Sequence, residues 1–213
     1  MAQIKKIQLT SKIQRAIIRA AVLHDGQKRK GDGLPYIIHP YSVAFILNNY
    51  VDDEEIIISG LLHDTLEDVS DYRENDLKKE FGEKVLKIVK EVSEEKTADY
   101  SKKKKKATWQ IRKEKYLSHL KKASFEAMMV CAADKIDNLQ SIMKAYQEKG
   151  DKLWEKFNAP KDKKLWFYGK VLKILKERLD NVIVQDLEKT YLEAESMLNS
   201  KVKTKTKLPK PNG

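Results

Sequence analysis

Cysteine is nearly absent from this chain. Cys131 is the sole one in 213 residues, so no internal disulfide can form and a reducing compartment is expected. Lying in an apolar helical run, its thiol reads as a small buried hydrophobe. No apolar run approaches the roughly 18 residues that a membrane-spanning helix needs. The N-terminus Met1-Ala2-Gln3-Ile4-Lys5-Lys6 has no signal-peptide core. Together these absences point to a soluble, cytoplasmic protein. No alternating strand pattern of useful length occurs, and no repeat or linker divides the body. The length suits one compact domain with a real core and is short for two.

Charge is abundant but unevenly placed. The net charge is +11, which by itself suggests a nucleic-acid binder. Residues 96 to 122 carry +9 of it and residues 201 to 213 carry +5, leaving −3 for everything else. The body is therefore near neutral, which argues against a broad nucleic-acid footprint. Five consecutive lysines, Lys102 to Lys106, repel one another and are expected to form a solvated loop. The tail, with Lys and Thr alternating before Pro209 and Pro211, is expected to be disordered and basic.

Helical periodicity runs through most of the body. Ser11 with Gln14 forms a capping box ahead of Ile13, Ile17, Ile18, Ala21 and Val22. A second helix is expected to begin near Pro40 and a third to span about Asp53 to Thr65. Val85, Leu86, Ile88, Val89 and Val92 follow Gly82 at helical spacing, and Trp109, Tyr116, Leu117 and Leu120 mark another helix. Ser124 caps a long one, and Leu165 to Leu198 continues as amphipathic helix broken around Leu179 to Asn181. The fold class is all-α, a single helical bundle with additional C-terminal helices, over residues 1–200. Trp154, Phe157, Trp166, Phe167 and Tyr168 are expected to pack those helices rather than to stack a base.

The most informative stretch is Leu61-Leu62-His63-Asp64-Thr65-Leu66-Glu67-Asp68. On a helix His63 lies over Glu67 and Asp64 over Asp68, beside an apolar edge of Ile56, Ile57, Ile58, Leu61 and Leu62. An imidazole and three carboxylates next to a core need compensation, and a divalent cation supplies it. An exposed acidic helix end is the plainer alternative, but it does not require His-Asp inside an apolar run. Two further segments complete a donor set. Pro35-Tyr36-Ile37-Ile38-His39-Pro40 puts a histidine at a helix entrance. Ala133-Asp134-Lys135-Ile136-Asp137-Asn138 projects Asp134 and Asn138 from one face, although Asp134 could instead pair with Lys135. His39, His63, Asp64 and Asp134 are the expected ligands, a borderline-to-hard set suited to manganese and also to iron, cobalt or zinc.

In this order, and with His24-Asp25-Gly26-Gln27-Lys28-Arg29-Lys30 ahead of them, these words resemble the HD-domain metal-dependent phosphohydrolases. The flanking residues narrow the likeness to the hydrolase part of the RelA/SpoT alarmone enzymes and their stand-alone relatives. It covers about residues 10 to 148. Residues 109 to 120 and 153 to 168 resemble a subgroup of short bacterial HD proteins. The resemblance implies manganese, an acid-base role for Glu67 and Asp68, and nucleotide contacts from Arg29, Lys30 and Asn138. It implies removal of the 3′-pyrophosphate from a (p)ppGpp-type alarmone. A nucleotidase or other small-nucleotide phosphohydrolase is the alternative within enzymes. A nucleic-acid-binding protein with a structural HD site is the alternative outside them. Two departures stand out: Gly31-Asp32-Gly33-Leu34 makes the loop before Pro35 one residue longer than usual, and Asp137 replaces a common histidine or tyrosine. His24 and Gln27 read as loop-organising residues, and His119 as packed or exposed.

Overall fold

The computed structural model describes residues 9–94 and 100–200. The expected disorder of the tail at 201–213 falls outside these residues. Eleven α-helices, with one 3₁₀ segment at Gly150–Lys156, account for the described secondary structure, and no strand occurs among the described residues beyond an isolated bridge between Lys28 and Pro35. The all-α expectation is met.

The organising element is α9 (Phe125–Lys149), which at 1.5 Å per residue is about 37 Å long. Ser124 caps it by accepting from the Ala127 N–H, and the Ser124 N–H is itself held by Glu91 at 2.8 Å. Gly150, at φ +56°, ends it in the left-handed region where a side chain would be strained. Around α9 pack α2 (Ile38–Asn48), α3 (Glu54–Leu62), α6 (Glu83–Val92) and α11 (Val182–Asn199). Asp53 caps α3 by accepting from the Glu55 N–H at 2.9 Å, and Glu54 and Glu55 complement the positive helix start. Ile58, Leu61 and Leu62 on α3 are essentially fully buried, each contributing roughly 1.5–3 kcal/mol of apolar transfer. Gly60 lets α2 and α3 touch: a Cβ there would stand 2.5 Å from a Leu47 methyl.

Outside this core, α1 (Ser11–Leu23) lies on α3, while α5 (Glu74–Phe81) abuts α6. Of the remaining helices, α4 (Thr65–Asp68), α8 (Trp109–Leu120) and α10 (Lys161–Arg178) line the cavity described below, and α7 (Lys102–Ala107) lies against α8. Trp109 meets Trp166 and Phe167 between α8 and α10 at ring separations of 6.4 and 6.3 Å, which fits the packing role expected of those C-terminal aromatics.

Four local readings of the sequence need correction. Thr10, not Ser11, caps α1: its hydroxyl accepts from the Ile13 N–H at 3.1 Å, and its carbonyl takes the first helical bond from Gln14. The helix α2 starts at Ile38 rather than Pro40, because the Tyr36 and Ile37 carbonyls already accept from His39 and Tyr41. The motif helix is interrupted, since His63 and Asp64 form a turn between α3 and α4 and the short α4 restarts on the Asp64 carbonyl. The lysine run is helical in α7, not a loop. The Ser101 hydroxyl accepts from the Lys104 N–H at 3.2 Å, and lysine is intrinsically a good helix former when its ammonium groups reach water.

Candidate active site

His39 on α2, His63 at the end of α3 and Asp134 on α9 are all buried, and one potential ligand atom from each lies within 4.8 Å of the others. Asp64 completes the group: its Oδ2 stands 3.1 Å from His63 Nε2 and 3.4 Å from His39 Nε2. His39 Nε2 is also 3.3 Å from Asp134 Oδ1. All four sequence-predicted donors therefore converge.

Hydrogen bonds fix which ring nitrogen faces the cluster. His63 Nδ1 lies 2.8 Å from the Gly60 carbonyl, which can only accept, so Nδ1 carries the proton and Nε2 presents its lone pair inward. Buried and without a hydrogen-bond partner, His63 Nε2 is the kind of orphaned donor atom that a metal ion satisfies. His39 Nδ1 is bonded to Asp137 Oδ2 at 2.6 Å in the same manner. Tyr36 donates its hydroxyl to Asp64 Oδ2 at 2.5 Å. Lys135 and Asn138 both donate to Asp134. The pairing of Asp134 with Lys135 that the sequence left open is thus present, on the carboxylate oxygen away from Asn138.

The electrostatics follow from this crowding. Burial alone would depress His39, but its bonds to Asp134, Asp137 and Asp64 outweigh it and hold its pKa well above the usual value. Burial would raise Asp64, yet the two imidazoles keep it well below the carboxylate range. In Asp134 the same opposition to burial comes from Lys135 and the two histidines, and the carboxylate stays ionised. Imidazoles and carboxylates that compensate one another this way suit a divalent cation, which replaces the shared protons.

The cluster forms one end of a cavity of about 490 Å³. Glu67 and Asp68, both expected from the sequence, line it beyond the donors. Glu67 is pushed up to about 8 by burial and by Glu94, Asp64 and Asp68 nearby. Asp68, nearer the open edge, is raised to about 6 by lost hydration and by Asp64. Arg29, Lys30 and Asn138 also line the cavity. The Arg29 guanidinium is engaged, at 2.6 Å from Asp137 Oδ2 and 3.4 Å from Asn138 Oδ1. The loop that carries it is held by the Lys149 ammonium on the Gly31 carbonyl. His24 bonds Gln27 at 2.9 Å, and Gln27 reaches the Asp68 carbonyl at 3.4 Å, so these two tie the loop to α4.

Sequence reasoning missed the cavity's other end. Lys113 on α8 and Lys164 on α10 reach it, as do the rings of Phe157, Phe167 and Tyr168. Lys113 is neutralised by Glu94. The half-buried Lys164 has no ion pair among the described residues and stacks its ammonium 5.0 Å from the Phe157 ring. Burial, Lys113 and Lys30 together lower it to about 7. Glu94 also supports Glu67, whose Oε2 accepts from the Glu94 N–H at 3.2 Å. No local motif marks Glu94, Lys113 or Lys164. For Asp137 the departure from the usual residue type was the available signal.

Comparison with known proteins agrees with the arrangement. The chain is 34% identical over 132 residues to the Danio rerio guanosine-3′,5′-bis(diphosphate) 3′-pyrophosphohydrolase MESH1, covering 61% of this chain and 68% of that one. It is 49% identical over 86 residues, 40% of this chain, to the Aquifex aeolicus guanosine-3′,5′-bis(diphosphate) 3′-pyrophosphohydrolase, and spans 12% of that protein's length. A solved structure described as a metazoan ortholog of SpoT that hydrolyzes ppGpp superposes with a TM-score of 0.69 at 25% identity, covering 88% of this chain and 98% of the other. The HD domain family matches residues 16–160, most of the helical body and every residue of the donor cluster, and the chain belongs to that family.

Proposed function

We propose that the protein is a metal-dependent phosphohydrolase that removes the 3′-pyrophosphate of a (p)ppGpp-type alarmone. The observation that carries this reading is the bipolar cavity. One end gathers His39, His63, Asp64 and Asp134 with two further acids, and the other holds Lys164, a lysine without an ion pair among the described residues. A nucleotide phosphorylated at both its 3′ and 5′ positions matches both ends, whereas a nucleoside monophosphate matches one. The names of the relatives point the same way.

His39, His63, Asp64 and Asp134 would hold the ion, with manganese the favoured metal for this mixed donor set. When bound, it supplies Lewis-acid stabilisation of the phosphoryl oxygens and lowers the pKa of a water molecule. The protein's own groups do the rest. Asp68, near 6, is largely ionised at neutral pH and accepts the proton of the attacking water. Glu67, near 8, keeps its proton and delivers it to the departing ribose oxygen. The water oxygen bonds to the phosphorus next to the ribose, the P–O3′ bond breaks, and the ribose leaves with the Glu67 proton. Lys30, Asn138 and Lys164 bind and orient the nucleotide, while Arg29, held by Asp137, shapes the wall beside it. Among the described residues no helix is long and apolar enough to cross a membrane. The buried lone thiol Cys131 and a nucleotide substrate support a cytoplasmic setting.

Incubating the purified chain with Mn²⁺ and ppGpp tests the reading directly. Pyrophosphate should appear with a nucleotide that keeps its 5′ phosphates. Orthophosphate released from nucleoside monophosphates, with the alarmone untouched, would establish a nucleotidase instead.

A further inference from the structure

The catalytic cavity is not alone on this side of the molecule. A second one, of about 540 Å³, opens between α4, α5, α6 and α8, and Glu94 and Tyr116 line both. Its floor is apolar and partly aromatic, from Leu66, Tyr72 and Tyr116. Its rim carries more cations than acids: Arg73, Lys90, Arg112 and Lys115 stand with Glu74 and Glu94, Lys90 paired to Glu74 at 2.6 Å and Arg112 to Glu94 at 3.0 Å. The lysines of α7 adjoin this rim, since Arg112 on α8 donates to the Lys105 carbonyl at 3.3 Å.

An apolar floor under a basic rim suits an anion that carries an apolar body. Leu66 and the exposed edges of the two tyrosines offer that body a surface, guanidinium and ammonium groups bind phosphates, and the volume lies within the range of small-ligand sites. We propose that this second cavity is an effector site for a nucleoside di- or triphosphate, coupled to the first through Glu94. The coupling path is short. Arg112 stands 3.0 Å from Glu94 Oε2, and the Glu94 N–H supports Glu67 at 3.2 Å. A phosphate on the rim competes with Glu94 for Arg112, so the two sites share one ion pair. Such a shared element gives the effector a differential contact in two arrangements of Glu94, which coupling between sites requires.

The binding step stands independently of the proposed activity, and the coupling step rests on it. His119 is a natural reporter. Of the four histidines it alone lines the second cavity, while His39 and His63 line the first. In the chain loaded with diamagnetic Zn²⁺, titration with GDP should shift the His119 ring-proton resonance saturably. The exposed double variant R73E/K90E should weaken that response at least tenfold. A His119 signal that stays still while the other histidines move, or one that responds equally in the variant, overturns the site. An equal response to inorganic pyrophosphate overturns the assignment of the floor to a base. For the coupling, GDP should change the rate of pyrophosphate release from ppGpp at least twofold more in the wild type than in R73E/K90E. An identical effect in both overturns the link through Glu94. A chain with no turnover at all would refute the proposed activity and leave the His119 titration to decide the site.

Discussion

At the metal end of the catalytic cavity three of the four donors are answered by a neighbour within hydrogen-bonding reach, His39 by Asp137, Asp64 by Tyr36, Asp134 by Lys135 and Asn138, and His63 is held through its other nitrogen by the Gly60 carbonyl. At the far end Lys164 rests on an aromatic ring among other cations, without an ion pair among the described residues. The first end is compensated within the protein. At the second, burial, Lys113 and Lys30 lower Lys164 to about 7, and an arriving anion would favour its charged form. Preorganisation suits the end where bonds change, because groups already in place need no rearrangement in the transition state. Unmet charge suits the end that binds, because the ligand relieves it.

Breaking the compensated end should have the largest effect. His63→Ala and Asp64→Ala are each expected to lose the bound ion, about one per chain, and all turnover. Elemental analysis beside a pyrophosphate assay checks this, and full metal occupancy with turnover in both variants would reject the ligand assignment. Next come Glu67→Gln and Asp68→Asn, which keep size and remove proton transfer. They should retain the metal and slow turnover by roughly 10²- to 10⁴-fold, and a wild-type rate in both would end their acid-base role. Asp137→Ala frees the His39 ring, and a lost orienting partner typically costs about 10- to 100-fold in metal affinity. Competition with a chelating dye measures it; unchanged affinity would make Asp137 a partner of Arg29 alone.

Lys164→Met sharpens the contrast from the other end. Removing a half-buried lysine that has no ion pair among the described residues should raise the melting temperature at neutral pH while raising KM for the alarmone and sparing kcat. The pH dependence carries a definite sign. The folded-state value near 7 lies below the ordinary 10.5, so between them the unfolded chain binds more protons and stability rises with pH. Lys164→Met should flatten that rise, and a variant no more stable than wild type at pH 7, with the same KM, would refute the unmet-charge reading. The smallest effect is expected from serine at positions 102 to 106. If α7 steers polyanions, the second-order rate falls at low salt, and the difference fades as the screening length shortens to about 8 Å at physiological ionic strength. An unchanged rate at low salt leaves α7 a solvated helix, and a loss of RNA affinity alone assigns it a separate binding function.

How much was legible in the sequence tracks the same division. The metal end was readable because its donors sit in compact local words, where His63-Asp64 within an apolar run is conspicuous. The helices around it were readable because their apolar spacing follows the 3.6-residue period. Lys164 was not readable, since on a lysine-rich amphipathic helix one cation looks like the others until packing turns it inward. Glu94 and Lys113 reach the cavity from segments that bear no motif. Asp137 was noticed as a departure, but its bond to His39 spans 98 positions of sequence. The helix α7 was misread because like-charge repulsion was weighed without the Ser101 cap.

The close approach at Gly60 extends the reach of the site well beyond its own residues. Any side chain there meets the buried Leu47 methyl and forces the α2–α3 contact to repack, and these helices carry His39 and His63 respectively. The interval between the two imidazoles is thus tied to a residue that packs against Leu47 and whose own carbonyl holds the His63 ring at 2.8 Å. A saturation screen scored on metal retention should therefore flag Gly60 alongside the ligands, although the residue has no side chain with which to bind anything.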